Sequence, residues 1–197
     1  GRKIAVKEMS FDKIDKIKLP NTRFKILQNL LSRNIKEYKK INNIKGIDFT
    51  HKFNQLVEKY NDRSEEDVLK SEVLTEFSQE IINLHNTVNN EKKAHIILNI
   101  NVDEKSYYDI LKFLSEKYEF SYPEEKLIIL SKKVKKIVDD KIKFTDWNLR
   151  DEIKAELKAE LIILLAENGY PPISHDEVYK EIFEQAENYS KSSNIVV

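Results

Sequence analysis

The segment from Thr145 to Pro172 constrains the fold of this chain more than any other part of the sequence. Its apolar residues recur at three- and four-residue steps, as along one side of a helix: Ile153, Leu157, Leu161, Leu164 and Leu165. Ile162 and Ile163 fall elsewhere around this helix, and a helix that is apolar on several sides is usually buried by several neighbours. Gly169 supplies a left-handed stop, and the prolines at 171 and 172 prevent continuation. The segment therefore predicts a buried helix at the centre of a helical domain.

The remaining sequence also reads as a succession of helices, which predicts an all-α fold of about seven to eight helices in one or two bundles. Apolar spacing and capping residues predict helices over about 21–42, 50–60, 64–89, 103–118, 123–144, 149–168 and 174–189. Ser64 with Asp67 and Ser174 with Glu177 have the spacing of a capping box, and Asp103 is expected to cap the fourth helix. Gly46 is interpreted as the end of a linker.

Residues 90–102 carry the weakest pattern of the chain. The run HIILNINV could form a short strand, but no partner strand of similar quality is present, so a linker or a short apolar plug is the favoured interpretation. This region is also the candidate boundary between two helical parts, residues 1–100 and residues 101–197.

Composition favours a helical protein with a solvated surface and restricts the classes of function. The chain is 40% hydrophobic and 35% charged, contains no cysteine, and has no apolar run near the roughly 20 residues that cross a bilayer. Disulfides and thiolate metal sites are thereby excluded, and a cytoplasmic location is expected. The opening GRKIAVKEMS lacks the apolar core of a signal peptide and is interpreted as the start of a fragment of a longer chain.

The net charge is zero, but the charges are segregated along the chain. Residues 1–60 carry 15 Lys and Arg against 6 Asp and Glu, whereas residues 61–124 carry 7 against 14. The basic part could face phosphate and the acidic part could face a basic protein. Alternatively, the two parts face each other.

Common catalytic signatures are absent from the sequence. Glycine occurs only at positions 1, 46 and 169, so a phosphate-binding or dinucleotide-binding loop cannot be built. The four histidines are scattered without the spacing of a zinc hydrolase. Glu124, Glu125 and Lys126 are superficially similar to the acid–acid–lysine set of Mg²⁺-dependent nucleases, but acids at a helix start are also favoured by the helix dipole. A non-catalytic chain is expected.

A group of lysines is the strongest candidate for binding another molecule. Five of them fall within one broad arc of the predicted helix over 123–144: Lys132, Lys133, Lys135, Lys136 and Lys143. Such a ridge could neutralise phosphates of duplex DNA without reading sequence. Asp139 and Asp140 lie on the same arc, and an ordinary solvated helix face is the alternative.

Arg63, Arg150 and Trp147 are candidates for contact with a protein partner. Arginine is scarce beside lysine in this chain, and both Trp and Arg are enriched where interfaces gain most of their affinity. Arg150 could also contact DNA. For Trp147 the alternative is a residue at a helix entry that packs in the core. His85 is expected to be a partly buried structural histidine, since it lies at the edge of an apolar stripe.

Several runs resemble the C-terminal part of the restriction (motor, or R) subunit of type I restriction-modification enzymes. They are YNDRSEEDVLKSEVLTEFSQEII (60–82), SYYDILKFLSEKYEFSYPEEKL (106–127), TDWNLRDEIKAELKAELI (145–162), AENGYPP (166–172) and VYKEIFEQAENY (178–189). The resemblance covers most of the chain from about Asn21 to Tyr189, and none of the runs is a catalytic signature.

The resemblance implies a parent subunit with an Mg²⁺-dependent nuclease domain and ATP-driven translocase domains, followed by a helical and a C-terminal domain. This chain would be the end of the helical domain (1–100) and the C-terminal domain (101–197). It would assemble with the methyltransferase and specificity subunits and contact duplex DNA non-specifically, while ATP and Mg²⁺ would be used elsewhere in the parent. A purely structural helical module without DNA binding is the alternative, and a cryptic Mg²⁺-dependent nuclease is a third hypothesis.

Overall fold

The computed structural model describes residues 11–14, 20–64, 66–67, 70–171 and 176–193, and it confirms the all-α prediction. Within these ranges no β-strand occurs. The elements in chain order are α1 (Phe11–Ile14), α2 (Pro20–Ile41), α3 (Asn43–Asn61), α4 (Ser71–Ile97), α5 (Val102–Lys117), α6 (Glu124–Ile142), a 3-10 turn (Trp147–Leu149), α7 (Asp151–Glu167) and α8 (Glu177–Ser193). In the part of the chain that is described, no helix combines the length and the apolar character needed to span a bilayer.

The chain divides into two compact units. Unit 1 consists of Gly1–Tyr38 and Gly46–Lys92, and unit 2 consists of Lys39–Lys45 and Lys93–Val197. Each unit has its own hydrophobic core. The assignment of residues 1–100 and 101–197 to two domains of a longer subunit stays a prediction.

The core of unit 1 is built on the apolar stripe of α2, as the spacing predicts. The buried residues of this stripe are Phe24, Leu27, Leu31, Ile35 and Tyr38. The ring of Tyr60 stacks on Phe24 with centroids 4.0 Å apart and meets Phe77 of α4 edge to face at 5.4 Å. His85 is half-buried, as expected: Asn34 Nδ2 lies 3.3 Å from its Nδ1, and burial lowers the pKa of the imidazole.

Two predicted helix starts in this part of the chain are wrong. α3 begins at Asn43 and not near Thr50, so Gly46 is a buried residue within the helix and does not end a linker. The start is set by Asn42, whose Oδ1 accepts a hydrogen bond from the Lys45 amide at 3.2 Å. The Asp67 amide donates to Ser64 Oγ at 3.3 Å, as a capping box requires, but the Asp67 carboxylate accepts from the Ser64 hydroxyl at 2.7 Å. These bonds close a turn, and α4 begins only at Ser71.

Residues 90–97 are helical, so the strand interpretation is wrong and the predicted linker is confined to residues 98–101, between α4 and α5. α4 continues to Ile97 and is ended by Asn99, whose φ of 53° is left-handed. The Ile100 amide donates to His95 O at 3.2 Å and the Asn99 amide donates to Ile96 O at 3.1 Å, which is a Schellman motif. α5 is then capped by Asn101 and not by Asp103: Asn101 and Glu104 exchange side-chain-to-backbone hydrogen bonds of 2.8 and 2.9 Å.

The core of unit 2 lies among α5, α6, α7 and α8, with the 3-10 turn packed against α6 and α7. Its fully covered residues include Leu111, Leu114, Leu130, Leu157, Leu161 and Ile182. Gly169 ends α7 as predicted, with φ 67° and a Tyr170 amide that donates to Leu165 O at 2.9 Å. The predicted capping residue Ser174 lies outside the described residues, and α8 begins at Glu177.

The expectation that α7 is buried by several neighbours is wrong. Ile153, Leu157, Leu161 and Leu165 are buried, but Ile162 is 45% exposed and Ile163 is 56% exposed. α7 therefore covers the core with one side only, and a second apolar side faces outward.

A buried polar group joins the junction of α2 and α3 to α5 inside unit 2. Lys105 Nζ lies 2.6 and 2.7 Å from the two carboxylate oxygens of Asp109, and Asn42 Nδ2 donates to Asp109 Oδ2 at 2.8 Å. Burial raises the pKa of Asp109, while Lys105 and Asn42 act in the opposite direction. From α8, the buried Gln185 accepts from the Asn43 amide at 2.8 Å and donates to Ile41 O at 2.9 Å. The junction is thus held by side chains and not by an apolar surface alone.

Candidate functional site

The outer face of α6 carries the exposed lysines predicted from the sequence. Lys132, Lys133, Lys136 and Lys143 are exposed, whereas the opposite side of the helix is buried through Leu127, Leu130, Val134 and Val138. Lys133 Nζ lies 3.2 Å from Asn168 Oδ1, and Lys143 lies over the ring of Phe144 at 5.7 Å. The four ammonium groups therefore lie on the solvent side of one helix and its end.

Several other cations of unit 2 are paired with acids. Lys141 bridges Glu156 and Glu160 at 3.0 and 2.9 Å. Further pairs are Lys117–Glu177 at 2.5 Å and Lys158–Asp176 at 2.8 Å. Among the described residues, Lys132, Lys133, Lys136 and Lys143 have no carboxylate within ion-pair distance. The outer face of α6 thus carries a group of positive charges that are not paired with acids, although the exposed Asp140 dilutes it.

Lys135 does not belong to this exposed face. Its side chain is only 18% exposed, and its ammonium group is paired with Asp139. The two line a cavity of about 10 Å³ together with Asp103, Ser106, Tyr107, Gln185 and Tyr189, which is room for about one water. Burial is the largest single influence and acts to lower the pKa of Lys135, but the hydrogen bond to Asp139 and the negative charges of Asp139 and Asp103 together outweigh it, so that the pKa is raised. The inclusion of Lys135 in a DNA-binding ridge is therefore corrected: 100° per residue places it at the edge of the arc, where α5 and α8 enclose it.

Trp147 lies in the core and is not a surface anchor. It is 3% exposed, and its indole N–H donates to Ser190 Oγ of α8 at 3.2 Å. The structure thus favours packing in the core over contact with a partner. Arg150, just after the turn, remains on the surface with its side chain 46% exposed, and its Nη2 lies 2.9 Å from Glu152 Oε1. Arg150 stays a candidate for contact, in competition with this acid.

Arg63 is held within unit 1. Its guanidinium lies 3.8 Å from the centroid of the Tyr60 ring, and Nη1 donates to Tyr60 O at 2.7 Å. The stack continues into the aromatic contacts of Phe24 and Phe77, so the arginine extends the core of unit 1. Its role as an interface residue stays a prediction.

The acidic residues at the start of α6 have a structural contact of their own. Tyr108 of α5 donates its hydroxyl to Glu124 Oε1 at 2.5 Å, while Glu125 and Lys126 are exposed. In the described ranges, no three His, Cys, Asp or Glu side chains are grouped so that they could hold a metal ion.

Comparison with known proteins gives one family. The profile of the family "Type I restriction enzyme HindI endonuclease subunit-like, C-terminal" matches residues 6–192. A curated protein of Methanocaldococcus jannaschii, "Putative type I restriction enzyme MjaIXP endonuclease subunit", is 22% identical over 170 residues, which is 83% of this chain. The chain spans only 15% of the length of that relative. No solved structure shows a significant match.

Proposed function

Because the chain belongs to the type I restriction enzyme HindI endonuclease subunit-like C-terminal family, we propose that it serves as a non-catalytic assembly and DNA-contact region of an endonuclease subunit. Its partners would be the methyltransferase and specificity subunits and, without sequence preference, duplex DNA. The parent's ATP and Mg²⁺ would act in other domains, since no glycine-rich phosphate loop can be built from the three glycines here. The complex would work in the cytoplasm.

The observation that carries the DNA contact is the uncompensated charge on the outer face of α6. Exposed lysines gain affinity for a duplex by displacing counterions from phosphates, and this gain needs ammonium groups that are not already bound to carboxylates. Lys132, Lys133 and Lys136 satisfy this condition and lie within about one and a half turns of one helix. Lysines without arginines favour contact with the backbone over recognition of bases.

Charge reversal on this face is expected to weaken duplex binding. The triple variant Lys132→Glu, Lys133→Glu, Lys136→Glu should lose about tenfold or more in affinity, and the slope of log affinity against log salt should fall by about three. The measurement is a mobility shift or anisotropy titration of a random duplex at several salt concentrations.

The matched control is Lys154→Glu, Lys158→Glu, Lys180→Glu. It changes the net charge equally but acts on lysines that lie 3.6, 2.8 and 4.0 Å from acids of their own. Its loss of affinity should be clearly smaller. Equal losses in both triples would show that only net charge matters and would remove α6 as the contact. Unchanged binding in the first triple at low salt would leave the alternative of a helical module that binds protein only.

A further inference from the structure

α7 carries an outward apolar stripe that the fold leaves uncovered. At 100° per residue, Ala155, Ala159, Ile162 and Ala166 fall within an arc of about 60°. All four are exposed. Their spacing of four, three and four residues is the seam spacing by which one helix packs against another, and small residues on the seam permit close approach. The apolar residues that the core does not use are thus arranged as a helix-packing face.

An acidic row borders this stripe on one side. Glu152, Glu156, Glu160 and Glu167 are exposed and lie within the next 80° or so of the helix, together with the exposed Ile163. Two cations reach the row: Arg150 at Glu152, and Lys141, which is shared between Glu156 and Glu160. Four carboxylates against two cations leave the border negative.

The negative charge of this acidic row determines which kind of molecule could bind to the apolar stripe. Phosphates of DNA or of an anionic membrane would be repelled, so neither fits this face. A second copy packed antiparallel would oppose the acidic row to itself, which is unfavourable. A helix that has small or apolar residues on its seam and Lys or Arg beside them would satisfy both the packing and the charge.

We propose that the outer face of α7 is the docking site for a basic amphipathic helix of the methyltransferase–specificity core. This inference rests on the proposed assembly function and assigns it to a surface separate from the lysines of α6. The four seam residues extend over about 16 Å of α7, so the partner helix would need at least about three turns.

The test is the affinity of the purified methyltransferase–specificity core for the 197-residue chain, measured by biolayer interferometry. Folding of each variant is checked by circular dichroism. Ile162→Glu with Ile163→Glu should weaken binding by about 100-fold, because charge would be buried at the seam by the first change and directly beside it by the second. The control Ile47→Glu with Ile96→Glu alters isoleucines of comparable exposure, 47% and 66%, on other helices and should bind like wild type. Glu152→Lys, Glu156→Lys, Glu160→Lys should weaken binding by about tenfold and lower its salt dependence.

The outcomes separate the two proposals. If the wild-type chain does not bind the core, the assembly proposal fails and the docking site falls with it. If wild type binds and both α7 variants bind equally well, assembly stands and the docking site is overturned. Concentration-dependent dimers that Ile162→Glu abolishes would identify a second copy as the occupant, which also contradicts the proposal.

Discussion

Replacing Asp109 with alanine is expected to lower the free energy of unfolding of unit 2 by about 3–5 kcal/mol. The side chains of Lys105 and Asp109 are 6% and 4% exposed, so the variant removes the carboxylate that two hydrogen bonds join to a buried ammonium group. The amide of Asn42, which is 2% exposed, would lose its acceptor as well. Urea unfolding followed by fluorescence measures the effect, since the single tryptophan lies in unit 2.

Two companion variants show whether the buried pair is the cause. Asp140→Ala removes an exposed acid of α6 and should change the unfolding free energy by no more than about 0.5 kcal/mol. Lys105→Met with Asp109→Leu removes both charges and should recover much of the loss, because neither charge of the pair stays buried. A loss for Asp109→Ala no larger than that for Asp140→Ala would contradict this account of the α2–α3 junction.

Trp147→Ala should cost unit 2 about 3–5 kcal/mol, as expected for truncating a buried aromatic residue. The residue packs in the hydrophobic core formed by α5, α6, α7 and α8 and is 3% exposed. Its truncation would therefore remove these contacts and leave a buried cavity. Urea unfolding followed by circular dichroism is the measurement, since the variant has no tryptophan.

Trp147→Phe separates the ring from its hydrogen bond. It keeps most of the apolar volume and loses the N–H that donates to Ser190, so its cost should be nearer 1 kcal/mol. If Trp147→Ala instead left the free energy of unfolding unchanged but abolished binding to the methyltransferase and specificity subunits, Trp147 would be an interface residue.

The all-α fold and much of the hydrophobic core were predictable from the sequence, because apolar spacing indicates which side of a helix is buried. The stripe of α2 and the stop at Gly169 are confirmed for this reason. α4 and α5 also end in left-handed residues, Asn99 and Glu119, with φ of 53° and 55°. Neither residue is glycine, so the sequence does not mark these two helix ends as Gly169 marks the end of α7. The strain of their left-handed backbone is offset by Schellman hydrogen bonds, which are visible only in the folded structure.

The residue types of the candidate site could be predicted from the sequence, but not which of the lysine side chains point to solvent. Helical geometry placed Lys135 on the same arc as Lys132, Lys133 and Lys136. The spacing of residues along one helix, however, contains no information about which neighbouring helices pack at the edge of that arc. The outward side of α7 shows another limit, since its apolar pattern predicts burial on several sides, yet Ile162 and Ile163 are 45% and 56% exposed. Gly46 shows the same dependence on surroundings, because a capped helix in which this position is buried tolerates a residue with poor helix propensity.

Binding of this chain to DNA and to the methyltransferase–specificity core is tested most directly by a mobility shift of random duplex with the wild-type chain, with and without that core. The chain alone should give a salt-sensitive shift, and the chain combined with the methyltransferase–specificity core should give a complex that migrates more slowly than either component. No shift at about 50 mM salt, together with no slower complex on adding the core, would contradict both expectations.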